Sequence, residues 1–269
     1  MFEFLKGRKR KSGAERSSNI VVDKKKYSGV TECYNRLKDN LLYLNNDSSI
    51  KVIQVESAVS GEGKTTLICN LAVSIAMNEK KICVVDLDFR KPRVHRTFGI
   101  ENEKGMSEYL VGKISKEELI KKTKYNVDVI NRGSSIANAS MALTCTKFVE
   151  LMKELREEYD FVLVDTPPVL QISDYVNISR VTDGVIFVVA AGYTKRDQVR
   201  DAFYEMKKNN IKIIGTVMTF VKKHGVYSKY YYNYYAKKYY SNYYYSSYYD
   251  KADEEDKDDE NVNAEEKND

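Results

Sequence analysis

The chain has 269 residues, of which 42% are hydrophobic, and it carries 44 Lys and Arg against 39 Asp and Glu. This length allows one α/β domain with flexible ends and excludes two large domains. The net charge of +5 is unevenly distributed, because residues 250–269 hold eleven acids and three Lys, which leaves the preceding part at +13. The basic residues form no recognition module and no single basic face, so we expect no nucleic-acid partner.

The chain is expected to be soluble and cytoplasmic. Its four cysteines are scattered without metal-ligand spacing, which predicts reduced thiols. The apolar run at 184–191 has eight residues, whereas a membrane-spanning helix needs about 20. The basic start of the chain lacks the apolar stretch of a secretory signal.

Residues 1–27 are predicted to form a flexible basic arm, followed by a helix at 31–44 with a periodic apolar face. Short apolar runs then alternate with helical stretches. The predicted strands are 52–55, 82–85, 127–130, 161–164, 185–190 and 211–217. The predicted crossover helices are 65–77, 147–158 and 195–209. This alternation predicts an α/β fold with a mostly parallel, twisted sheet and helices on both faces.

The composition changes near residue 222, where aliphatic residues almost disappear. Too little apolar surface remains beyond this point to support a core, so we expect a disordered tail. The predicted organisation is a folded domain at 28–222, a tyrosine-rich segment at 223–249 and an acidic disordered terminus at 250–269.

Residues 58–65, Ala-Val-Ser-Gly-Glu-Gly-Lys-Thr, match the Walker A pattern with Ala in the first glycine position. Gly61 and Gly63 allow backbone amides to surround a phosphate, Lys64 can reach the β- and γ-oxygens, and Thr65 can place its hydroxyl on Mg²⁺. A predicted strand precedes the loop and a helix follows it, which is the context of a phosphate-binding loop. The residues predicted to contact the phosphates are Ser60, Gly61, Glu62, Gly63, Lys64, Thr65 and Thr66.

Three acids follow two of the predicted strands. Asp86 and Asp88 end one strand, and Asp165 ends another. Ligands of open parallel sheets bind at the carboxyl ends of the strands, where all three acids are expected to lie. A single strand-terminal Asp is often only a helix cap, but three around one phosphate loop favour a nucleotide site.

Thirteen tyrosines lie within residues 227–249. They are Tyr227, Tyr230, Tyr231, Tyr232, Tyr234, Tyr235, Tyr239, Tyr240, Tyr243, Tyr244, Tyr245, Tyr248 and Tyr249. Next to a phosphate loop, these phenols are candidate phosphoryl acceptors. The alternative is a low-complexity aromatic segment that self-associates or binds carbohydrate or nucleic acid.

The Walker A loop, the Asp86-x-Asp88-x-Arg-x-Pro run, the Asp165-Thr-Pro-Pro run and the tyrosine cluster together resemble a bacterial tyrosine kinase (BY-kinase) of capsule and exopolysaccharide assembly systems. The resemblance covers about residues 28–249. Plasmid-partition and division-site-positioning ATPases are similar in fold, but they carry a signature lysine where this chain has Val59. A nucleotide-switched positioning or scaffold ATPase remains the alternative function.

The resemblance implies a P-loop NTPase fold and an ATP-dependent protein-tyrosine kinase that autophosphorylates its tyrosine cluster. It implies ATP and Mg²⁺ as cofactors and four catalytic residues, which are Lys64, Asp86, Asp88 and Asp165. Lys64 would bind phosphate, Thr65, Asp88 and Asp165 would hold Mg²⁺, and Asp86 would orient or deprotonate the incoming tyrosine. The division of roles among the three acids stays open at this point.

The resemblance also implies partners. It implies a homo-oligomeric ring, a cognate tyrosine phosphatase and a transmembrane chain-length adaptor whose cytoplasmic end completes the active site. The kinase would then lie at the inner face of the cell membrane through that adaptor. The helical Glu-x-x-Arg-x-x-Arg motif of ring assembly occurs here as Glu32, Asn35 and Lys38, and Arg36 is a candidate substitute for the missing guanidinium groups.

Overall fold

A computed structural model describes residues 20–22, 28–46, 49–136 and 138–221. The tyrosine-rich segment 223–249 and the acidic terminus 250–269 lie outside the described residues, as does most of the predicted basic arm. Within that arm, residues 20–22 pack against the folded domain. Ile20 and Val22 are buried in its core, and the Val21 amide donates a hydrogen bond to Asn70 Oδ1 at 2.7 Å.

The described residues form one seven-stranded sheet with the strand order β3-β4-β2-β5-β1-β6-β7. The strands are β1 Val52–Ser57, β2 Ile82–Asp86, β3 Ile120–Lys122, β4 Asp128–Ile130, β5 Phe161–Asp165, β6 Gly184–Ala190 and β7 Ile213–Thr219. Neighbouring strands pair in parallel, except that β3 pairs antiparallel with β4. The predicted mostly parallel sheet is confirmed.

Helices cover both faces of this sheet. They are α1 Ser28–Leu44, α2 Lys64–Ala76, α3 Val94–Phe98, α4 Met106–Leu110, α5 Lys116–Leu119, α6 Ala139–Ala142, α7 Thr146–Glu158, α8 Asp174–Ser179 and α9 Arg196–Lys208. Apolar residues of α1, α2 and α3 share one core cluster with alternate residues of β1, β2 and β5. The remaining residues of these strands pack with α7 and α8 on the opposite face. Because both faces are covered, these strands consist of almost unbroken apolar runs.

The central strands and the three long crossover helices lie where the sequence predicts them, within a few residues. The sequence does not predict β3 or the five short helices α3, α4, α5, α6 and α8. Each of these has between three and six residues, which is too few for an apolar period to emerge.

None of the helices in the described residues has the length and apolar character that a bilayer crossing requires. All four cysteines are described, and none of them forms a disulfide.

Candidate nucleotide site

The phosphate loop connects β1 to α2 at the carboxyl edge of the sheet. Gly61 and Gly63 have φ angles of 90° and 91°, a left-handed conformation that any side chain would strain. Lys64 is the first residue of α2. The unpaired amides at the start of this helix therefore lie beside the loop, an arrangement that favours a bound phosphate.

Hydrogen bonds within the loop and from residues at the ends of β6 and β7 hold the loop in place. Glu62 is fully buried, and its Oε2 accepts a hydrogen bond from the Val59 amide at 2.7 Å. The Thr194 hydroxyl, which follows β6, donates to Glu62 Oε1. Thr219 Oγ1, at the end of β7, donates to the Glu62 carbonyl at 2.7 Å. Tyr193 Oη donates to the Ser60 carbonyl at 3.1 Å. The loop is thus fixed before any phosphate arrives.

The two residues that follow the glycines point into the floor of the site. Lys64 is 8% exposed, and its Nζ donates to Ser57 Oγ at 2.8 Å. Ser57 Oγ in turn donates to the Val59 carbonyl at 2.8 Å. Thr65 Oγ1 donates to Asp165 Oδ2 at 2.6 Å. The structure therefore brings the loop and the acid after β5 together. Ser57 was missed, because a serine at the end of a strand carries no recognisable pattern.

Asp86 and Asp165 occupy paired positions on β2 and β5. Asp86 is fully buried, and its carboxylate accepts hydrogen bonds from the amides of Asp88, Arg93 and Val94 at 3.2, 3.1 and 3.2 Å. Burial and then the charge of Asp165 raise the pKa of Asp86 well above its usual range, although these amide bonds oppose the rise. Asp86 is therefore tied to the segment that carries Asp88.

The positive charge near Asp165 does not fully compensate for the burial of its carboxylate. Burial raises its pKa to about 6, although the Lys64 ammonium and the Thr65 hydroxyl lower it. Its Oδ1 is buried without a hydrogen-bond partner in the described part of the chain. A divalent cation fits such a site, because it would neutralise the acids and occupy the unpaired oxygen.

The described residues contain no group of three or more His, Cys, Asp or Glu suited to a metal. Mg²⁺ commonly takes only one or two carboxylates and completes its shell with water and substrate phosphates. Thr65, Asp88 and Asp165 are the residues that could hold it.

A cavity of about 430 Å³ lies above these groups. It is lined by Ser60, Gly61, Glu62, Gly63, Lys64, Thr65, Thr66, Asp88, Lys91, Arg93, Arg96, Thr97, Pro168 and Phe220. All seven residues predicted to contact phosphates line it. Asp88 also lines it, whereas Asp86 and Asp165 do not. The volume is within the range of about 300 to 1,000 Å³ that is typical of small-molecule sites.

Three exposed cations line this cavity that the sequence pattern does not predict, namely Lys91, Arg93 and Arg96. None of the ion pairs between described residues includes them. They follow Asp88 within eight residues, so their closeness to the predicted acids was the available signal. Their charge favours a polyanionic ligand.

The four residues predicted for ring assembly lie on α1, and all four have partners within the same chain. Asn35 Oδ1 accepts from Ser74 Oγ at 3.0 Å. Lys38 is buried, and its Nζ donates to Asn78 Oδ1 at 2.8 Å. Glu32 and Arg36 form an ion pair one turn apart at 3.2 Å. Lys38 is therefore the buried member of the set, whereas Glu32 is exposed and Asn35 and Arg36 are half-buried. The thirteen tyrosines lie outside the described residues.

Glu56 is a further buried acid, on β1 just before the loop. Its Oε1 accepts a hydrogen bond from Gln54 Nε2, and its Oε2 has no partner among the described residues. Gln54 is fixed by the Tyr175 carbonyl at 3.1 Å and by Thr182 Oγ1 at 3.2 Å. Burial raises the pKa of Glu56 to about 8, although the Gln54 hydrogen bond and the Lys64 charge lower it.

Comparisons with known proteins agree with this geometry. A family profile described as an AAA domain matches residues 50–213. The chain is 32% identical over 221 residues to the tyrosine-protein kinase YwqD of Bacillus subtilis (strain 168), an alignment that covers 81% of this chain and 93% of YwqD. The solved kinase domain of the Escherichia coli tyrosine kinase Etk has a TM-score of 0.73 and 28% identity, and the match covers 81% of this chain and 85% of that one.

A third match is the cell division ATPase MinD of Pyrococcus furiosus. It has a TM-score of 0.53 and 25% identity, and the match covers 62% of this chain and 71% of MinD. The fold and the phosphate loop define a P-loop nucleotide-binding protein. The chain belongs to the bacterial tyrosine kinase family, so the predicted resemblance is confirmed and its enzyme class is that of a protein-tyrosine kinase.

The pKa of Glu56 leads to a prediction about stability. Below its unfolded-state pKa, taken as 4.5, the residue is protonated in both states. As the pH rises towards 8, the unfolded state loses this proton first, so the folded state is progressively destabilised. Glu56→Gln mimics the protonated form and avoids this loss. We expect the variant to gain on the order of 2 kcal/mol over wild type between about pH 5.5 and pH 8.5.

Urea unfolding at the two pH values measures this difference. Glu157→Gln, a change at an exposed acid of α7, serves as the control and should show no such trend. A Glu56→Gln difference that stays constant with pH would contradict the assigned proton.

Proposed function

We propose that this chain is an ATP-dependent kinase that phosphorylates its own C-terminal tyrosines, and that it thereby regulates capsule or exopolysaccharide synthesis and export. The observation that carries the proposal is the contact between Thr65 and Asp165 beside the Lys64 ammonium. This phosphate site belongs to a chain that also holds thirteen tyrosines within residues 227–249. Family membership supports the same chemistry.

We propose that the residues of the loop bind the triphosphate of ATP. The loop amides and Lys64 hold the β- and γ-phosphates, and Lys64 leaves its hydrogen bond with Ser57 to do so. Thr65, Asp165 and Asp88 supply oxygens to Mg²⁺, which when bound neutralises charge on the transferring phosphoryl group. Arg93 and Lys91 on the cavity rim add positive charge around the same group.

In the proposed reaction, a tyrosine phenolic oxygen forms a bond to the γ-phosphorus as the bond to the β,γ-bridging oxygen breaks. ADP leaves, and the phenolic proton passes to a carboxylate or to water. Because the transition state is loose, proton removal comes late, and most of the rate enhancement comes from positioning and charge neutralisation.

Asp86 and Asp88, at the end of β2, are proposed to have different roles. Asp88 lines the cavity, so it can face Mg²⁺ or the phenol. Asp86 is buried under three backbone amides, and we propose that it orients the acceptor by holding the Asp88–Val94 segment. A direct role as base would require those amide bonds to open.

The surroundings of the kinase are proposed from the family resemblance. We propose a folded domain at 28–222, against which residues 20–22 also pack, flanked by the rest of the basic arm as a flexible segment, the tyrosine tail and the acidic terminus. We propose a homo-oligomeric ring, a cognate tyrosine phosphatase, and a transmembrane adaptor that activates the kinase at the inner face of the cell membrane.

Adding the cytoplasmic segment of that adaptor should raise the autophosphorylation rate, and an unchanged rate would count against the adaptor.

A positioning or scaffold ATPase is the second candidate function. The fold similarity to MinD favours it. Val59 in place of the signature lysine and the thirteen tyrosines favour the kinase. The two candidates differ in whether phosphate reaches tyrosine, which can be measured directly.

Lys64→Met should abolish tyrosine phosphorylation. Full-length protein is incubated with Mg-ATP, and phosphotyrosine in residues 227–249 is followed by mass spectrometry. We expect the rate to fall by on the order of 100-fold or more, because the variant loses the cation at the transferring phosphate. Lys207→Met, an exposed lysine of α9, is the matched control. Removal of Mg²⁺ with EDTA should have the same effect as the Lys64 substitution.

Wild-type protein that hydrolyses ATP but carries no phosphotyrosine, even with its activator, would favour the second candidate function.

Arg36→Glu should disrupt the proposed ring. The change places two acids one turn apart on α1 and removes the guanidinium group offered to a neighbouring subunit. Analytical ultracentrifugation should then show smaller species than for wild type. Arg200→Glu on α9, which also breaks exposed ion pairs, is the control and should sediment as wild type. Equal assembly of the two variants would exclude Arg36 from the interface.

A further inference from the structure

The phosphate cavity contains an exposed aromatic side chain. Among the described residues that line this cavity, Phe220 is the only aromatic one, and apart from Pro168 the others are polar, charged or glycine. Phe220 is 59% exposed, although phenylalanine is usually buried. Its ring lies close to the phosphate loop, since a methyl group placed on Gly63 would be 3.6 Å from Phe220 Cζ. An exposed aromatic surface therefore adjoins the groups proposed to bind phosphate.

The backbone of Phe220 is strained. Its φ angle is 55°, a left-handed conformation that bulky residues rarely adopt. The other non-glycine residues with a positive φ in the described part of the chain are Glu79, Asn126 and Asn210, and asparagine adopts this conformation far more readily than phenylalanine. Strained residues of this kind concentrate at ligand-binding positions, where the surrounding structure holds them.

Thr219 supplies that support. Thr219 Oγ1 donates to the Glu62 carbonyl of the loop at 2.7 Å, and the Thr219 carbonyl accepts a hydrogen bond from the Ala191 amide at 2.9 Å. The residue before Phe220 is thus fixed to the phosphate loop and to the end of β6. These contacts give the Phe220 ring a defined position beside the loop.

The strand order separates the cationic part of the cavity from the aromatic part. The loop follows β1, and β1 lies two strands from β2 on one side and two strands from β7 on the other. The cations Lys91 and Arg93 follow β2, whereas Phe220 follows β7. The first side suits the phosphates of a nucleotide, and the second suits a flat apolar base.

We propose that Phe220 is the platform on which the base of the bound nucleotide stacks, and that this contact favours purine over pyrimidine nucleotides. The proposal rests on the proposed binding of ATP at the loop. A base has a π-face that stacks on aromatic side chains, and a purine offers a larger face than a pyrimidine. Stacking would also remove the exposed ring from water.

A second aromatic residue, Tyr193, contacts the loop but does not line the cavity. Its Oη donates to the Ser60 carbonyl at 3.1 Å, and a methyl group placed on Gly61 would be 3.4 Å from this oxygen. Tyr193 therefore supports the loop through its hydroxyl. Tyr193→Phe removes this hydrogen bond and shows how the loss of loop support affects binding.

Calorimetric titration of the full-length protein with Mg-ADP and with Mg-pyrophosphate separates the base contact from the phosphate contacts. We expect Phe220→Ala to raise the Kd of ADP at least about fivefold and to leave the Kd of pyrophosphate within about twofold of wild type. Phe220→Tyr keeps an aromatic face and should bind ADP as wild type does. Met218→Ala, at an exposed neighbour on β7 that does not line the cavity, is the control and should leave both Kd values unchanged.

Mg-CDP tests the preference for purines. Wild type should bind ADP more tightly than CDP, and Phe220→Ala should bring the two Kd values closer together. Equal binding of ADP and CDP by wild type would overturn the purine preference.

An unchanged ADP Kd in Phe220→Ala overturns the proposal. Equal increases in the Kd values of ADP and pyrophosphate also overturn it, because the ring would then only support the loop, as expected for Tyr193. Phe220→Leu, which keeps an apolar side chain without a π-face, keeps the test decisive if Phe220→Ala fails to fold, since it should also weaken ADP binding.

Autophosphorylation kinetics distinguish failure of the platform from failure of the kinase function. The base contact is the same in the ground state and the transition state, so Phe220→Ala should raise the KM for ATP and leave kcat unchanged. Base-dependent ADP binding without any phosphotyrosine in wild type would keep the platform and reject the kinase function. Phosphotyrosine in wild type, with equal ADP binding by wild type and Phe220→Ala, would do the reverse.

Discussion

The site depends on the parallel register that places Asp86 of β2 opposite Asp165 of β5. Two buried carboxylates on adjacent strand ends repel one another, and burial alone already disfavours their charged forms. The folded chain accepts this unfavourable arrangement with only partial compensation from backbone amides, the Thr65 hydroxyl and the Lys64 ammonium. The proposed Mg²⁺ would offset the remaining deficit of positive charge. The free energy that the folded chain loses by burying these two acids would then be recovered when the proposed metal-bound nucleotide binds.

The phosphate loop differs from this acid pair, because favourable hydrogen bonds hold it in one conformation. Glu62 is satisfied by the Val59 amide within the loop, while Thr194 and Thr219 reach it from the ends of β6 and β7. These contacts span more than 130 residues of sequence, so the loop takes its shape only when the whole sheet has assembled. A preorganised loop does not have to be ordered by the nucleotide, which makes binding less costly in entropy.

The sequence predicts the central strands because both of their faces are buried, which leaves continuous apolar runs. It also predicts the loop and the acids, since these depend on local spacing at strand ends. It does not predict the hydrogen bond that Lys64 Nζ donates to Ser57 Oγ, because that contact depends on how the lysine side chain folds back towards the end of β1. Arg93 is not predicted for another reason. It lies beside a short helix, and only the meeting of loops after different strands gives it a place in the cavity.

Asp86 shows what local spacing leaves open. Its position two residues before Asp88 predicts that both acids lie at the same strand end, but it does not decide how the two acids divide their roles. The structure separates them, because the Asp86 carboxylate turns inward to cap the amides of Arg93 and Val94, while Asp88 remains on the cavity wall. The buried acid therefore fixes the path of the Asp88–Val94 segment, and that path keeps Asp88 on the wall of the phosphate cavity. Phosphoryl transfer is accelerated mainly by positioning and charge neutralisation. A segment anchored by a buried carboxylate would hold Asp88 in position for the proposed reaction without any movement of the sheet.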